Sequence, residues 1–152
     1  MAILAHEKMT ARLWDNDERL NPGILEDLSD VYLNGIKHRR LYDQARLIDE
    51  NGMEIVRVNF NNGRPAVVPR KELQNKKGRY YFEDAFRLGR GDVFVSPLDL
   101  NIENGKIEQP LKPVLRFAMP VFDQRGEKRG IVLLNYFGAK LLEHFSRHAN
   151  TS

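Results

Sequence analysis

The chain has 152 residues, of which 41% are hydrophobic and 30% are charged. These values are typical of one folded domain, or of one domain with an appended element. Cysteine is absent, which excludes disulfides, zinc–cysteine sites, iron–sulfur clusters and thiol catalysis. No apolar run approaches the roughly 20 residues that a membrane-spanning helix needs, and residues 1–5 are too short and too weakly apolar for a signal peptide.

The net charge of +3 is unevenly distributed. Between Arg64 and Arg90 there are eight Lys or Arg residues and three acidic ones. A basic segment can bind nucleic acid, anionic lipid or a small anion, but a solvated loop face is the more ordinary interpretation. Strong nucleic-acid binding usually needs denser cations on one element, so no nucleic-acid partner is predicted.

The first 40 residues predict two helices, separated at Asn21-Pro22-Gly23. Asn21 can cap the second helix and Pro22 suits its first turn. Apolar residues recur at helical spacing on both sides of this break: Ala5, Met9 and Leu13 before it, and Leu25, Leu28, Tyr32 and Ile36 after it.

From residue 42 the apolar period changes to two, which predicts strands. Asn51-Gly52 and residues 123–126 predict the turns of two hairpins. A short helix is expected over residues 80–86 and a last helix over 139–148. Strands joined by tight turns are antiparallel neighbours, so we expect an α+β fold with a five-stranded antiparallel sheet and helices on one face. The predicted strands are 44–49, 53–58, 92–98, 114–122 and 130–137.

Few residues suggest catalysis or metal binding. There is no Gly-x-Ser-x-Gly sequence and no phosphate-binding loop. His144 and His148 lie four residues apart on the predicted last helix, a spacing that can hold a metal, although surface histidines are the more ordinary interpretation. We therefore predict no catalytic residue, no metal and no cofactor.

The most informative segment is Gly78–Phe86, in which Arg79 is followed at once by Tyr80, Tyr81 and Phe82. A guanidinium forms two parallel hydrogen bonds with a carboxylate, and aromatic walls that exclude water strengthen them. The alternative is that the rings only pack the short helix on the sheet while Arg79 is solvated.

Arg116 and Asn135 are polar residues inside predicted apolar strands. A charge in such a strand either faces solvent or points into a site, where it must be paired. The alternation leaves both possibilities open for both residues. It places Arg116 on the same face as Ala118.

The order of these segments resembles the Cache sensor domains, the extracytoplasmic PAS-like modules of bacterial receptors. The resemblance covers roughly residues 42–142, and the preceding helices match the stalk helix of such modules. It is closest to the membrane-distal module of double Cache sensors attached to diguanylate cyclases or histidine kinases. The stretches that carry it are residues 42–49, 52–59, 79–82, 96–100, 120–123 and 130–134.

The resemblance implies a binding module with a PAS-like sheet. Its amino-acid-binding branch carries Arg-x-Trp-Tyr-x-x-Ala, which Arg79–Ala85 matches with Tyr81 for Trp and Phe82 for Tyr. Two positions depart from that branch, because Gln74 replaces a Tyr and Asn135 replaces an Asp that holds the ligand's ammonium. A carboxylate without an amine, or a different ligand, therefore fits better than an α-amino acid, and a pocket that is empty or purely structural is the alternative. The implied ligand-binding residues are Arg79, Tyr81, Phe82, Phe94, Ser96, Arg116, Ala118 and Asn135.

The resemblance also implies an organisation and a location. Residues 1–41 form a helical stalk, 42–138 the sensor domain, and 139–152 a C-terminal helix and tail. We expect a fragment of a receptor anchored in the inner membrane, lying in the periplasm, paired as a homodimer through the N-terminal helices, and signalling to a cytoplasmic output domain. A cytosolic PAS-like interaction or cofactor module is the alternative, followed by a basic nucleic-acid-binding protein.

Overall fold

The computed structural model describes residues 3–109 and 111–149. Its helices are α1 (Ile3–Ala11), α2 (Pro22–Arg39), α3 (Tyr80–Phe86) and α4 (Gly138–Ala149). Its strands are β1 (Tyr42–Asp49), β2 (Glu54–Asn59), β3 (Ala66–Val67), β4 (Phe94–Val95), β5 (Asp99–Leu100), β6 (Ile102–Glu103), β7 (Lys106–Ile107), β8 (Pro113–Phe122) and β9 (Lys128–Phe137). All predicted helices and all five predicted strands are present.

The main sheet is antiparallel and has the order β3-β2-β1-β9-β8-β4, with β5 also paired to β8. The five predicted strands are the consecutive strands β2-β1-β9-β8-β4, so the predicted α+β class and antiparallel sheet are confirmed. The short strands β3 and β5 extend this sheet to seven strands, and β6 and β7 form a separate hairpin.

Helices cover both faces of the sheet, so the prediction from the sequence that they lie on one face is wrong. Helices α1 and α2 pack on one face, and α3 packs on the other, against β8 and β9. Strand β1 shows why, because Ala45 and Leu47 join the core under α2 while Ile48 joins the core under α3. Successive side chains of a strand point to opposite faces, and both faces of this strand are buried. We call these the α2 face and the α3 face.

Helix α2 forms because its N-terminus is capped and one stripe is apolar. Asn21 accepts hydrogen bonds at Oδ1 from the backbone N–H groups of Gly23 and Ile24, at 3.0 and 3.2 Å. The buried residues of the helix are Leu28, Tyr32 and Ile36, as the spacing predicted. Burying this stripe, rather than helix propensity alone, stabilises such a helix. The N-terminal helices thus share one hydrophobic core with the sheet.

The turn between β1 and β2 is the Asn-Gly turn that the sequence predicted. Gly52 has a φ of +83°, and a Cβ there would lie 2.5 Å from Cβ of Lys77. The position therefore requires glycine for its backbone conformation and for the close approach of a second segment. Over the ranges that the structure describes, no helix has the length and apolar character to cross a membrane.

Candidate ligand-binding site

Two buried guanidiniums lie at the centre of the α3 face. The side chain of Arg46 is 0% exposed and that of Arg116 is 1% exposed. Both guanidiniums lie over the ring of Tyr81 on α3, with their central carbons 5.4 and 4.9 Å from the ring centroid. Burial, followed by the nearby charge of Arg46, lowers the pKa of Arg116. Two like charges so close together need acceptors around them.

The strand register brings these groups together. Arg46 lies on β1 and Arg116 on β8, and Asn135 lies on β9 between them, directly opposite Arg116. Arg46 donates to Oδ1 of Asn135 at 3.0 Å. Asn135 and Arg116 both donate to Oδ1 of Asn101, at 3.3 and 3.4 Å. The two amides therefore connect the two guanidiniums without adding charge.

Carboxylates complete the network on the β2 side. Buried Glu54 accepts from Arg46 at 3.4 Å and from Arg57 at 3.1 Å. Glu103, on β6, lies within ion-pair distance of Arg57 at 3.2 Å and of Lys76 at 3.7 Å. Burial would raise the pKa of Glu103, but the hydrogen bond from Gln44 and the charges of Arg57 and Lys76 lower it to about 2. This carboxylate is thus ionised at all ordinary pH values.

On the α3 side the network is open to solvent. Asp99 lies 3.2 Å from Arg116 and 3.9 Å from Arg79, and it accepts a hydrogen bond from the hydroxyl of Tyr80 at 2.9 Å. The side chain of Asp99 is 36% exposed, and that of Arg79 is 24% exposed. Burial acts to raise the pKa of Asp99, but hydrogen bonds from the Leu100 backbone and Tyr80, with the charge of Arg116, lower it overall.

The chain of ion pairs contains more cations than anions. Five cationic side chains contact only three carboxylates, so the cations are in excess. They are Lys76, Arg57, Arg46, Arg116 and Arg79 against Glu103, Glu54 and Asp99. A neighbouring group, Lys112 with Asp43 and Glu108, supplies one further cation and two carboxylates. The excess is therefore concentrated at the α3 end of the network.

The predicted site residues fall into two groups. Arg79, Tyr81, Arg116 and Asn135 belong to the charged network. The guanidinium carbon of Arg79 is 5.5 Å from the Tyr81 ring centroid.

The other predicted residues are apolar neighbours or supports. Phe82 stacks on Phe86, in the core cluster that includes Ala118. Phe94 pairs with Ala118 between β4 and β8 and packs on the same cluster. The hydroxyl of Ser96 accepts a hydrogen bond from the backbone N–H of Arg116 at 2.9 Å, so Ser96 supports β8.

Sequence reasoning missed Arg46, Glu54, Asp99 and Asn101. Arg46 could have been found, because it is a charge flanked by the apolar residues Ala45 and Leu47 in a predicted strand, a signal similar to the one that singled out Arg116. Asn101 follows a two-residue strand and no sequence pattern marks it.

The basic segment of the sequence does not form one cationic surface. Lys76 is buried against Glu103, Arg79 lies near Asp99, and Arg87 pairs with Asp84 at the surface. Among the residues the structure describes, no group of three or more His, Cys, Asp or Glu side chains could hold a metal. The side chains of His144 and His148 lie outside the described residues.

A small polar cavity adjoins the β2 end of the network. It has a volume of about 130 Å³. Its lining residues are Asp43, Gln44, Arg57, Asn59, Asn61, Asn62, Glu103, Glu108 and Lys112. Asp99 lies within ion-pair distance of both Arg79 and Arg116 and accepts a hydrogen bond from Tyr80, so a carboxylate that pairs with these two arginines has to displace Asp99.

An antiparallel PAS-like sheet, with a short helix and loops over a cationic face, defines a sensor module. The chain belongs to the family of bacterial histidine kinase sensor domains, whose model matches residues 1–146. This confirms the resemblance to receptor sensor domains stated from the sequence. Comparison with curated proteins gives no match.

Solved structures support the fold. An extracellular domain assigned to the histidine kinase vpHK1S-Z8 has a TM-score of 0.75 at 24% identity, over 91% of this chain and 50% of that one. A domain assigned to a sensory box/GGDEF family protein of Vibrio parahaemolyticus has a TM-score of 0.73 at 24% identity, over 88% and 51%. The sensory domain of the Campylobacter jejuni chemoreceptor Tlp3, solved with isoleucine bound, has a TM-score of 0.62 at 15% identity, over 91% and 50%. The chain spans about half the length of these solved domains.

Proposed function

We propose that the chain binds a small molecule bearing a carboxylate at the α3 end of the charged network, and that it acts as a binding module rather than a catalyst. The observation that carries this proposal is the pair of buried guanidiniums, Arg46 and Arg116. Their Nε atoms, like those of Arg57 and Arg129, have no hydrogen-bond partner among the described residues. Buried donors without acceptors are rare, and a carboxylate is the group whose two oxygens match a guanidinium.

In this proposal the ligand's carboxylate replaces Asp99. Arg116 is buried and fixed by its strand, whereas Asp99 lies on a two-residue strand and is partly exposed. Asp99 is thus the partner that can leave. Ligand binding then favours an arrangement in which β5 moves away from α3. The ligand shifts the equilibrium between the arrangements with Asp99 bound and with Asp99 displaced only as far as its affinities for the two differ.

The character of the site favours a carboxylate that lacks an amine. Tlp3 domains have been solved with isoleucine and L-valine bound, and both ligands carry a carboxylate beside an ammonium. In this chain the polar residue between the guanidiniums is Asn135, which has no negative charge to pair with an ammonium. Glu54 is already paired with two arginines.

A thermal-shift screen against carboxylates, amino acids and amines tests this proposal, because a tight ligand raises the melting temperature by mass action. For a carboxylate that stabilises the wild type, Arg79→Ala should abolish the shift while leaving the ligand-free melting temperature nearly unchanged. Arg87→Ala is the matched control, since Arg87 follows the same helix and its ion pair, with Asp84, lies at the surface. An equal shift in Arg79→Ala would refute the role of Arg79.

Replacing Asp99 by Asn distinguishes anionic from cationic ligands, because the affinities of the two classes should change in opposite directions. Removal of the competing carboxylate should tighten binding of a carboxylate by about tenfold, the magnitude of one charge-assisted hydrogen bond. An amine should bind more weakly to this variant, because it loses an anionic partner. A hit that weakens in Asp99→Asn therefore contradicts the carboxylate assignment.

We also propose that the parent protein is a receptor anchored in the inner membrane, with this chain in the periplasm and a histidine kinase or diguanylate cyclase output domain in the cytoplasm. Membrane-spanning segments flanking this region in the full gene, and periplasmic activity of an alkaline phosphatase fused there, test this. The homodimer through α1 and α2 stays a prediction, and sedimentation of the chain at several concentrations tests it.

A further inference from the structure

A second cavity lies on the opposite side of the sheet, between the N-terminal helices and strands β8 and β9. It has a volume of about 350 Å³. Its floor is apolar and aromatic, and the residues that form it are Ala45, Phe117, Met119, Val121, Phe122, Val132 and Leu134. Pockets for small organic molecules have volumes of about 300–1,000 Å³ and this kind of lining.

The buried polar groups in the helical wall of the cavity, those of His6, Thr10 and Tyr32, are uncharged. Nε2 of His6 on α1 lies 2.7 Å from the hydroxyl of Tyr32 on α2, and both side chains are buried. Burial lowers the pKa of His6 to about 4, so its imidazole is neutral at pH 7. Thr10 donates its hydroxyl hydrogen to the backbone of its own helix. An interior of paired, neutral groups accepts the apolar part of a ligand.

Cations lie at the edge of the cavity. Arg39 and Arg90 are both exposed lining residues, and within the part of the chain that the structure describes neither lies in an ion pair with a carboxylate. The guanidinium of Arg90 lies over the ring of Phe122, 4.3 Å from its centroid. One acidic residue, Glu7, also lines the cavity, so the charges at this edge sum to one positive.

We propose that this cavity is a second ligand site, which takes an amphipathic organic anion: an apolar body of about two rings with one carboxylate or sulfonate. An engineered cavity of about 150 Å³ holds one benzene ring, so this volume suits roughly twice that body. The anionic group meets Arg39 or Arg90 at the edge. Because the ligand touches α1, α2 and the sheet together, it acts on the packing of the N-terminal helices directly.

Gly35 offers a sharp test, because it lines the cavity from α2 and a Cβ built there has no heavy atom within 4 Å. Gly35→Leu should occupy part of the cavity, keep or raise the ligand-free melting temperature, and strongly weaken binding of naphthoate, because the space that remains is too small for about two rings. Gly35→Ala is the matched control, since it makes the same helix-favouring change with one methyl group and should still bind. Naphthoate affinity is measured by calorimetry and by displacement of the fluorescent probe anilinonaphthalene sulfonate.

The charge requirement is tested separately. The double variant Arg39→Gln, Arg90→Gln should bind naphthoate about tenfold more weakly and show less loss of affinity with rising salt. Arg12→Gln, an exposed arginine that does not line the cavity, should bind as the wild type does. Naphthalene methanol, which has a similar body and no charge, should bind equally to the wild type and to the double variant.

The outcomes decide between this site and its alternatives. Unchanged naphthoate affinity in Gly35→Leu overturns the proposal. It is also overturned if naphthoate fails to bind the wild type while sedimentation shows a dimer that Gly35→Leu dissociates, because a second copy then covers the cavity. Arg79→Ala should leave naphthoate binding intact, so failure of the α3-face proposal and failure of this one are distinguishable.

Discussion

The α3 face and the α2 face of the same sheet are built in opposite ways. The α3 face buries Arg46, Arg116 and Glu54, linked by hydrogen bonds and covered by Tyr81. The α2 face buries apolar side chains and leaves a cavity of about 350 Å³. The α3 face thus combines an apolar cluster with a buried charged network and a polar cavity of about 130 Å³, whereas the α2 face is apolar around a larger cavity.

The difference shows what each kind of packing demands. A buried charge needs specific partners at hydrogen-bond distance, so each member of the network fixes the position of others. Apolar contacts are individually weak and non-directional, so an apolar layer can tolerate a void at the cost of lost dispersion contacts. We therefore expect substitutions on the α3 face to cost more stability than those on the α2 face.

The largest loss of stability is expected for Arg46→Met. This change leaves Glu54 buried with one arginine partner fewer, and breaking a buried ion pair in this way costs about 3–5 kcal/mol. Chemical denaturation measures the change in the free energy of unfolding. The control is Arg87→Met, whose ion pair with Asp84 is largely exposed and should cost less than about 1 kcal/mol. Similar losses in the two variants would show that the buried network is not what distinguishes the α3 face.

A smaller loss of stability, confined to a defined pH range, is expected from protonation of His6 on the α2 face. Its pKa falls from an ordinary 6.5 to about 4 in the folded protein, so between these values the unfolded chain binds a proton that the folded chain does not. Stability is therefore fully present above pH 6.5 and decreases as the pH falls towards 4, by about 3 kcal/mol in total. In His6→Gln the free energy of unfolding should vary less over this range, as measured by urea denaturation at stepped pH.

Glu103 on the α3 side should contribute to the free energy of unfolding over a different pH range. Its pKa falls from 4.5 to about 2 on folding, so its contribution is present above pH 4.5 and is lost as the pH falls through 2, again about 3 kcal/mol. Glu103→Gln should alter the pH dependence below 4.5 and leave the His6 range unchanged. If Glu103→Gln instead removed the slope between pH 6.5 and 4.5, the two faces would not titrate independently.

The parts that were predictable from sequence are those set by local patterns. The stripe of Leu28, Tyr32 and Ile36 and the glycine of the β1–β2 turn follow from spacing and backbone geometry within a few residues. Helix α3 was predicted at its observed bounds, Tyr80–Phe86.

The charged network was not predictable in the same way. Glu103 and Arg57 are 46 residues apart in the chain, and Asn135 and Arg46 are 89 apart. Which residues meet depends on the order of the strands in the sheet and on their register. Local spacing in the sequence determines neither of these. The cavity on the α2 face could not be predicted from the sequence either, because a void depends on how the two helices lie over β8 and β9.

The smallest expected loss of stability distinguishes α2 from α3, the helices that cover the two faces of the sheet. Asn21 caps α2 with two hydrogen bonds from backbone N–H groups, so Asn21→Ala should cost about 1 kcal/mol, and Asn21→Asp, which keeps an acceptor, should cost less. Helix α3 has Arg79 at its N-cap without a side-chain hydrogen bond, so Arg79→Ala removes no cap. Denaturation of both variants checks this contrast. A loss in Arg79→Ala equal to that in Asn21→Ala would mean that Arg79 supports the fold of α3, and its part in ligand binding could then no longer be separated from its part in stability.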